Sequence, residues 1–207
     1  MKGTKFKISK YYPIIFLFIL VFALVIRLST NRIFAEGISV GSVMPDFKLK
    51  DYNGNEHTLS QYKGKIVVIE FCSQECPFSR GADPDLIKLS EKYKDKGVVF
   101  IGIDSHFKTT PEEIKKYATE IKKTYPILKD VENKYADLVG AKVTPEIFVI
   151  DKDGKVAYHG AFDNRSGPNG TPTEKYTENA IEALLNGKPI EKPETKPWGC
   201  TIKRVQK

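Results

Sequence analysis

Cysteine and histidine are scarce in this 207-residue chain, at three residues each. Cys72, Cys76 and Cys200 are too few for a disulfide-stapled secreted mini-protein and too unevenly spaced for a four-ligand zinc site. Their odd number allows at most one intramolecular disulfide at a time, which leaves a spare thiol. Glycine-rich phosphate loops are absent. Gly167-Pro168-Asn169-Gly170 reads as a turn and not a dinucleotide fingerprint, so no organic cofactor is expected. Internal repeats and low-complexity blocks are also missing. The net charge is +7, yet Lys2, Lys5, Lys7, Lys10, Arg27 and Arg32 all precede the first acidic residue, Glu36, so the remainder carries only about +1. That excludes a general basic patch, and no nucleic-acid partner is expected.

What is present begins with an apolar run from Tyr11 to Ile26, preceded by four lysines. This asymmetry predicts a cytoplasmic basic stub (1–10), a transmembrane anchor or signal segment (11–28) and a linker (29–40), with the rest on the extracytoplasmic side, periplasmic or outer. Ile33-Phe34-Ala35 is a tolerable processing site, and cleavage after Ala35 would give a secreted form. The favoured expectation is a single uncleaved N-terminal transmembrane helix, with the membrane as a partner.

The remaining pattern predicts one domain over 41–187 and an extended tail over 188–207 that carries Cys200 and is anchored by Trp198. Met44 to Leu49 alternates like a strand, and Asp51-Tyr52-Asn53-Gly54 supplies the turn of an N-terminal hairpin. Lys65 to Phe71 suits a buried central strand, Asp85 to Lys96 a helix, and Val98 to Asp104 a second buried strand. Pro111 opens a charged helix to about Tyr125, and Val131 to Val139 reads as another. Glu146 to Ile150, Asp153-Gly154 and Val156 to Phe162 form a strand, turn and strand before a helix from Thr173 to Leu185. The expected fold class is α/β, a mixed sheet flanked by helices.

Chemistry concentrates at Cys76. It follows a buried strand and stands near the start of a helix, where free backbone N–H groups favour a thiolate. Pro77 suits the first helical turn, because its missing N–H costs nothing there. Cys200 is a candidate to resolve oxidised Cys76, since a sulfenic acid condenses with a second thiol; a Cys72–Cys76 disulfide is the alternative. A one-residue step along an extended segment reverses a side chain's face, which can turn Cys72 away from Cys76.

Strand, Cys76-Pro77, helix, then Val143-Thr144-Pro145 before a strand and hairpin resembles the thioredoxin superfamily. Phe71 to Phe78 together with Gly199-Cys200-Thr201-Ile202-Lys203 is similar to the peroxiredoxin-like subgroup of the redoxin (AhpC/TSA) proteins, over about residues 37–205. Members typically read Cys-Asn-His-Cys-Pro in the loop; here Ser73 stands where their first cysteine would be. The resemblance implies a thioredoxin-like fold in which Pro145 is a cis-proline. Pro145, Thr144 and Pro77 would then line the substrate site. It implies that Ser73 orients the thiolate or peroxide, as the hydroxyl of Thr-x-x-Cys-Pro does in peroxiredoxins. Glu70 falls at thioredoxin's buried acid and is either a general base or an ion-paired or edge-exposed carboxylate. Ser79 occupies the place of thioredoxin's resolving cysteine.

The activity implied is that of a thiol-dependent peroxidase or disulfide oxidoreductase. Its partners would be a peroxide or protein disulfide and an electron-donating thiol protein. Cys72-x-x-x-Cys76-Pro77 also has the spacing of thioredoxin-fold copper chaperones, with His106 as the available third ligand; His57 and His159 are expected at the surface. A copper-binding assembly factor and a non-catalytic binding module are the rival readings. The expected site otherwise holds no metal.

Overall fold

β-Branched residues set the centre of the fold. The computed structural model describes residues 37–206, and the predicted stub, anchor, processing site and first part of the linker lie outside the described residues. Ile66–Cys72 (β3) is buried along its whole length, with Val98–Asp104 (β4) parallel on one side and Glu146–Ile150 (β7) antiparallel on the other. Lys48–Asp51 (β1), Glu56–Thr58 (β2), Ile127–Lys129 (β5) and Val156–Gly160 (β8) complete a seven-stranded mixed sheet, ordered β2-β1-β5-β4-β3-β7-β8.

Alternation along β3 divides the core in two. Val67, Ile69 and Phe71 join Ile101, Ile103 and Phe148 on one face, which Lys134–Val139 (α3) covers with Ala136 and Val139. Ile66 and Val68 pack on the other face against Leu86, Leu89 and Tyr93 of Pro77–Tyr93 (α1) and Ala180 and Ile181 of Tyr176–Leu185 (α4). Burying each large side chain contributes about 1.5–3 kcal/mol. Glu70 and Cys72 fall on the second face by the same alternation, and Cys72 packs with Ile114 and Ala118 of Pro111–Glu120 (α2).

Several predicted boundaries move. The first strand is β1, not Met44 to Leu49, because the Asp46 carboxylate binds the Phe47 and Ser60 amides; Met44 and Phe47 are buried without sheet pairing. Asp51 ends that strand, and its carboxylate accepts from the Asn53 and Asn55 amides of the turn. The first long helix begins at Pro77, eight residues before the predicted Asp85. Helix α2 stops at Glu120, short of Tyr125: Lys122 is left-handed (φ 54°), and Pro126 disfavours helical backbone at Tyr125. The strand β5 that follows was not predicted. Glu132 and Asn133 are also left-handed, so α3 starts at Lys134 and not Val131. Strand β8 ends at Gly160 before Phe162, and α4 begins at Tyr176 after Thr173.

The tail is extended and anchored by Trp198, as expected, but its pairing with the domain was not foreseen. It is docked, running beside β8 through Pro193 and Thr195 and pairing Cys200–Thr201 (β9) antiparallel with Val143–Thr144 (β6). Ile38, in the expected linker, donates to the Val139 carbonyl, and Gly41, the first residue of the expected domain, donates to the Val156 carbonyl. Among the described residues no helix is long and apolar enough to cross a membrane.

Candidate active site

Cys76 is the N-cap of α1, with Pro77 as the first helical residue, so the helix's free N–H groups open beside its sulfur. The turn before it is held by the Cys76 amide donating to the Ser73 carbonyl (3.0 Å). Across from it, the Thr144-Pro145 peptide bond is cis, as the resemblance implied. The Cys76 thiol donates to the Thr144 carbonyl at 2.9 Å. Pairing of Thr144 with Cys200 in β6–β9 sets Cys200 beside Cys76, near enough for each thiol to shift the other's pKa. All three cysteines are free thiols.

Burial pushes the Cys76 thiol up, but hydrogen bonds from Cys200 and Thr144 and the amides of Ser79 and Cys200 outweigh it, and the pKa lies below the ordinary cysteine value. The 2.9 Å contact to a carbonyl oxygen serves the protonated thiol alone, so ionisation gives that contact up. Cys200 moves the opposite way, to about 11, through burial and the adjacent Cys76. The pair therefore divides into a thiolate former and a proton holder.

The other predicted residues fall outside this cluster or are engaged elsewhere. Cys72 lies against Ile114, Ala118 and Ile127, with its sulfur close to Gly102, where any side chain would crowd it. Burial, then the charge of Glu70, raises the Cys72 pKa well above the ordinary value. The Ser73 hydroxyl accepts from the Glu75 amide (3.2 Å), and Ser79 Oγ accepts from the Ser73 amide, so the two hydroxyls brace the loop.

Glu70 is 1% exposed and ion-paired. Its Oε2 accepts from Lys123 (3.0 Å) and Tyr125 (2.8 Å), while Lys123 also donates to Asp83 (2.5 Å) and Tyr117 donates to Asp83 (2.6 Å). Two buried carboxylates share one ammonium. Desolvation, with Asp83 adding to it, raises the Glu70 pKa against the pull of Lys123.

Sequence reading missed Glu146. One of its oxygens accepts from the Lys142 and Val143 amides (2.7 and 3.0 Å) and the other meets His159 (2.7 Å), fixing the strand before Pro145. A carboxylate inside an otherwise apolar strand was the available signal. His159 is thus stacked on Phe148 and paired, and His57 bonds Asp51 and Tyr62; neither is the free surface residue expected. His106 is 8% exposed, and its Nε2 has no hydrogen-bond partner among the described residues. Among the described residues no group of three His, Cys, Asp or Glu is placed to hold a metal ion.

A mixed sheet, a cysteine at a helix N-terminus and a cis-proline opposite it define a thioredoxin-fold, thiol-dependent oxidoreductase or peroxidase. Residues 40–159 match the AhpC/TSA family model, and the chain belongs to that family. It is 32% identical over 120 residues to the thiol-disulfide oxidoreductase ResA of Geobacillus thermodenitrificans, covering 58% of this chain and 67% of that protein. It is 33% identical over 146 residues to the chloroplastic peroxiredoxin Q of Oryza sativa subsp. japonica, covering 67% and 65%. The crystal structure of an uncharacterised conserved protein from Geobacillus kaustophilus aligns with a TM-score of 0.77 at 31% identity, over 82% of this chain and 94% of that one.

Proposed function

We propose that the chain is a two-cysteine thiol oxidoreductase in which Cys76 attacks and Cys200 resolves. The observation that carries this reading is that both cysteines meet at Thr144, Cys200 by strand pairing and Cys76 through its thiol, with Cys76 the more acidic. With a disulfide substrate, the Cys76 thiolate bonds to one sulfur and the other leaves as a thiolate that takes a proton. The Cys200 sulfur, once deprotonated, then bonds to Cys76 and releases the second substrate thiol. The substrate gains two electrons and the enzyme holds a Cys76–Cys200 disulfide. With a hydroperoxide, Cys76 takes one oxygen as a sulfenic acid, an alcohol or water leaves, and Cys200 condenses with loss of water. An external dithiol protein, the electron donor, returns both thiols. Thr144 and Pro145 line the substrate side, and Pro77 shapes the helix start behind Cys76.

ResA and peroxiredoxin Q, by their names, stand on the two sides of this substrate choice. The apolar run over 11–28 behind four lysines supports a membrane anchor that holds the domain on the extracytoplasmic side. The test of the cysteine roles is mass-spectrometric mapping after a brief exposure of the reduced protein to one equivalent of hydrogen peroxide. A Cys76–Cys200 bond with Cys72 free is expected; Cys76 left reduced, or linked to Cys72, overturns the assignment.

A further inference from the structure

The tail is fastened by side chains on both sides of Cys200, and at Cys200 itself only by the short pairing with Thr144. Upstream, Trp198 Nε1 donates to the Asp163 carbonyl (2.6 Å) and its ring lies 5.7 Å from that of Phe78. Downstream, Ile202 is buried in the core and its amide donates to the Lys142 carbonyl (2.9 Å), while Arg204 binds Asp137 and the Ala141 carbonyl, both at 2.6 Å. Between these anchors Gly199-Cys200-Thr201 lies flat on the strand that leads into Pro145. Gly199 permits that approach: its φ is +142°, and a methyl group there would collide with the Thr144 carbonyl and crowd the Pro145 nitrogen. The result is a Cys76 that is only 2% exposed.

An extended polypeptide offering a disulfide to Cys76 would have to place its backbone along Thr144 and its sulfur over Cys76. β9 does both. Cys200 is opposite Thr144, antiparallel, and the Thr144 carbonyl accepts from the Cys76 thiol, which sets Cys200 beside Cys76. We infer that residues 198–201 are a built-in substrate mimic, so that an extended disulfide-bearing polypeptide reaches Cys76 only by displacing β9, whereas an oxidant of a few atoms needs only a small opening beside it. The inference rests on the reading of Cys76 as the attacking thiol. It makes the tail a specificity element as well as the carrier of the resolving cysteine, with discrimination set by the size and backbone of the oxidant.

The experiment compares, in the reduced full chain, the rate constants for Cys76 oxidation by hydrogen peroxide and by insulin. Gly199→Ala wedges β9 off Thr144. The peroxide-to-insulin ratio is expected to fall about tenfold or more in Gly199→Ala through faster reaction with insulin, the scale set by losing one or two backbone hydrogen bonds. A synthetic peptide spanning residues 196–203 with Cys200→Ser should then slow insulin reduction by the variant. Should Gly199→Ala fail to fold, Trp198→Ala loosens the upstream anchor and should shift the ratio the same way. An unchanged ratio in a folded variant overturns the inference. Cys76→Ser separates the two levels: if it still reduces insulin, the reading of Cys76 itself is wrong, whereas an inactive Cys76→Ser beside an unmoved ratio removes only the substrate mimic.

Discussion

Cys72 and Cys76 stand four residues apart and are almost equally covered, 6% and 2% exposed, yet their surroundings drive the two thiols in opposite directions. Cys72 ends a strand on the face that carries Glu70, so the nearest carboxylate adds to desolvation and keeps its proton on. Cys76 caps a helix, and the donors around it more than offset the same burial. Covering a thiol therefore does not make it inert; what decides is whether the cover supplies N–H and S–H donors or negative charge.

The comparison breaks first on activity. Cys76→Ser should lower turnover on the order of 10³-fold or more, while Cys72→Ala should stay within about threefold of wild type, measured as disulfide or peroxide reduction. Comparable losses from both would show that Cys72 reaches the chemistry after all. Next in size is the charged group behind Cys72. Lys123→Met strands Glu70 and Asp83 without their shared ammonium and should cost about 3–5 kcal/mol in urea unfolding. A loss below about 1 kcal/mol would mean the two carboxylates are solvated or protonated without it.

The smallest effect concerns pH. The Glu70 carboxyl is raised in the folded chain by burial and by Asp83, so its stabilising share is complete below the ordinary carboxylate value and is lost as pH rises through the folded value. Glu70→Gln does not titrate. Its stability relative to wild type should therefore climb across that window by no more than about 1.4 kcal/mol per pH unit and level off on either side. A difference independent of pH would place the titrating proton elsewhere.

Local pattern carried the part of this site that is local. The buried run of β3, the loop and Cys76-Pro77 at a helix start are contiguous and depend on backbone periodicity, and Pro145 before β7 completes the motif. The partners of those residues are remote. Lys123 reaches Glu70 only because α2 ends early and a left-handed Lys122 turns the chain inward, which the charged periodicity of 111–125 conceals. The three residues of β5 are too few to register as a strand without their pairing to β1 and β4. The tail gave Cys200 as a candidate but no sign of where it lies, since β6 and β9 contribute two residues each and their register follows from the anchors at Trp198 and Ile202.

The placement of Trp198 beside Phe78 has an optical consequence. It is the chain's single tryptophan, and it sits on the docked tail within a few residues of Cys200, so all indole emission comes from the tail and none from the sheet. Fluorescence of the unlabelled protein is then a direct clock for the tail, readable in the same stopped-flow trace as turnover.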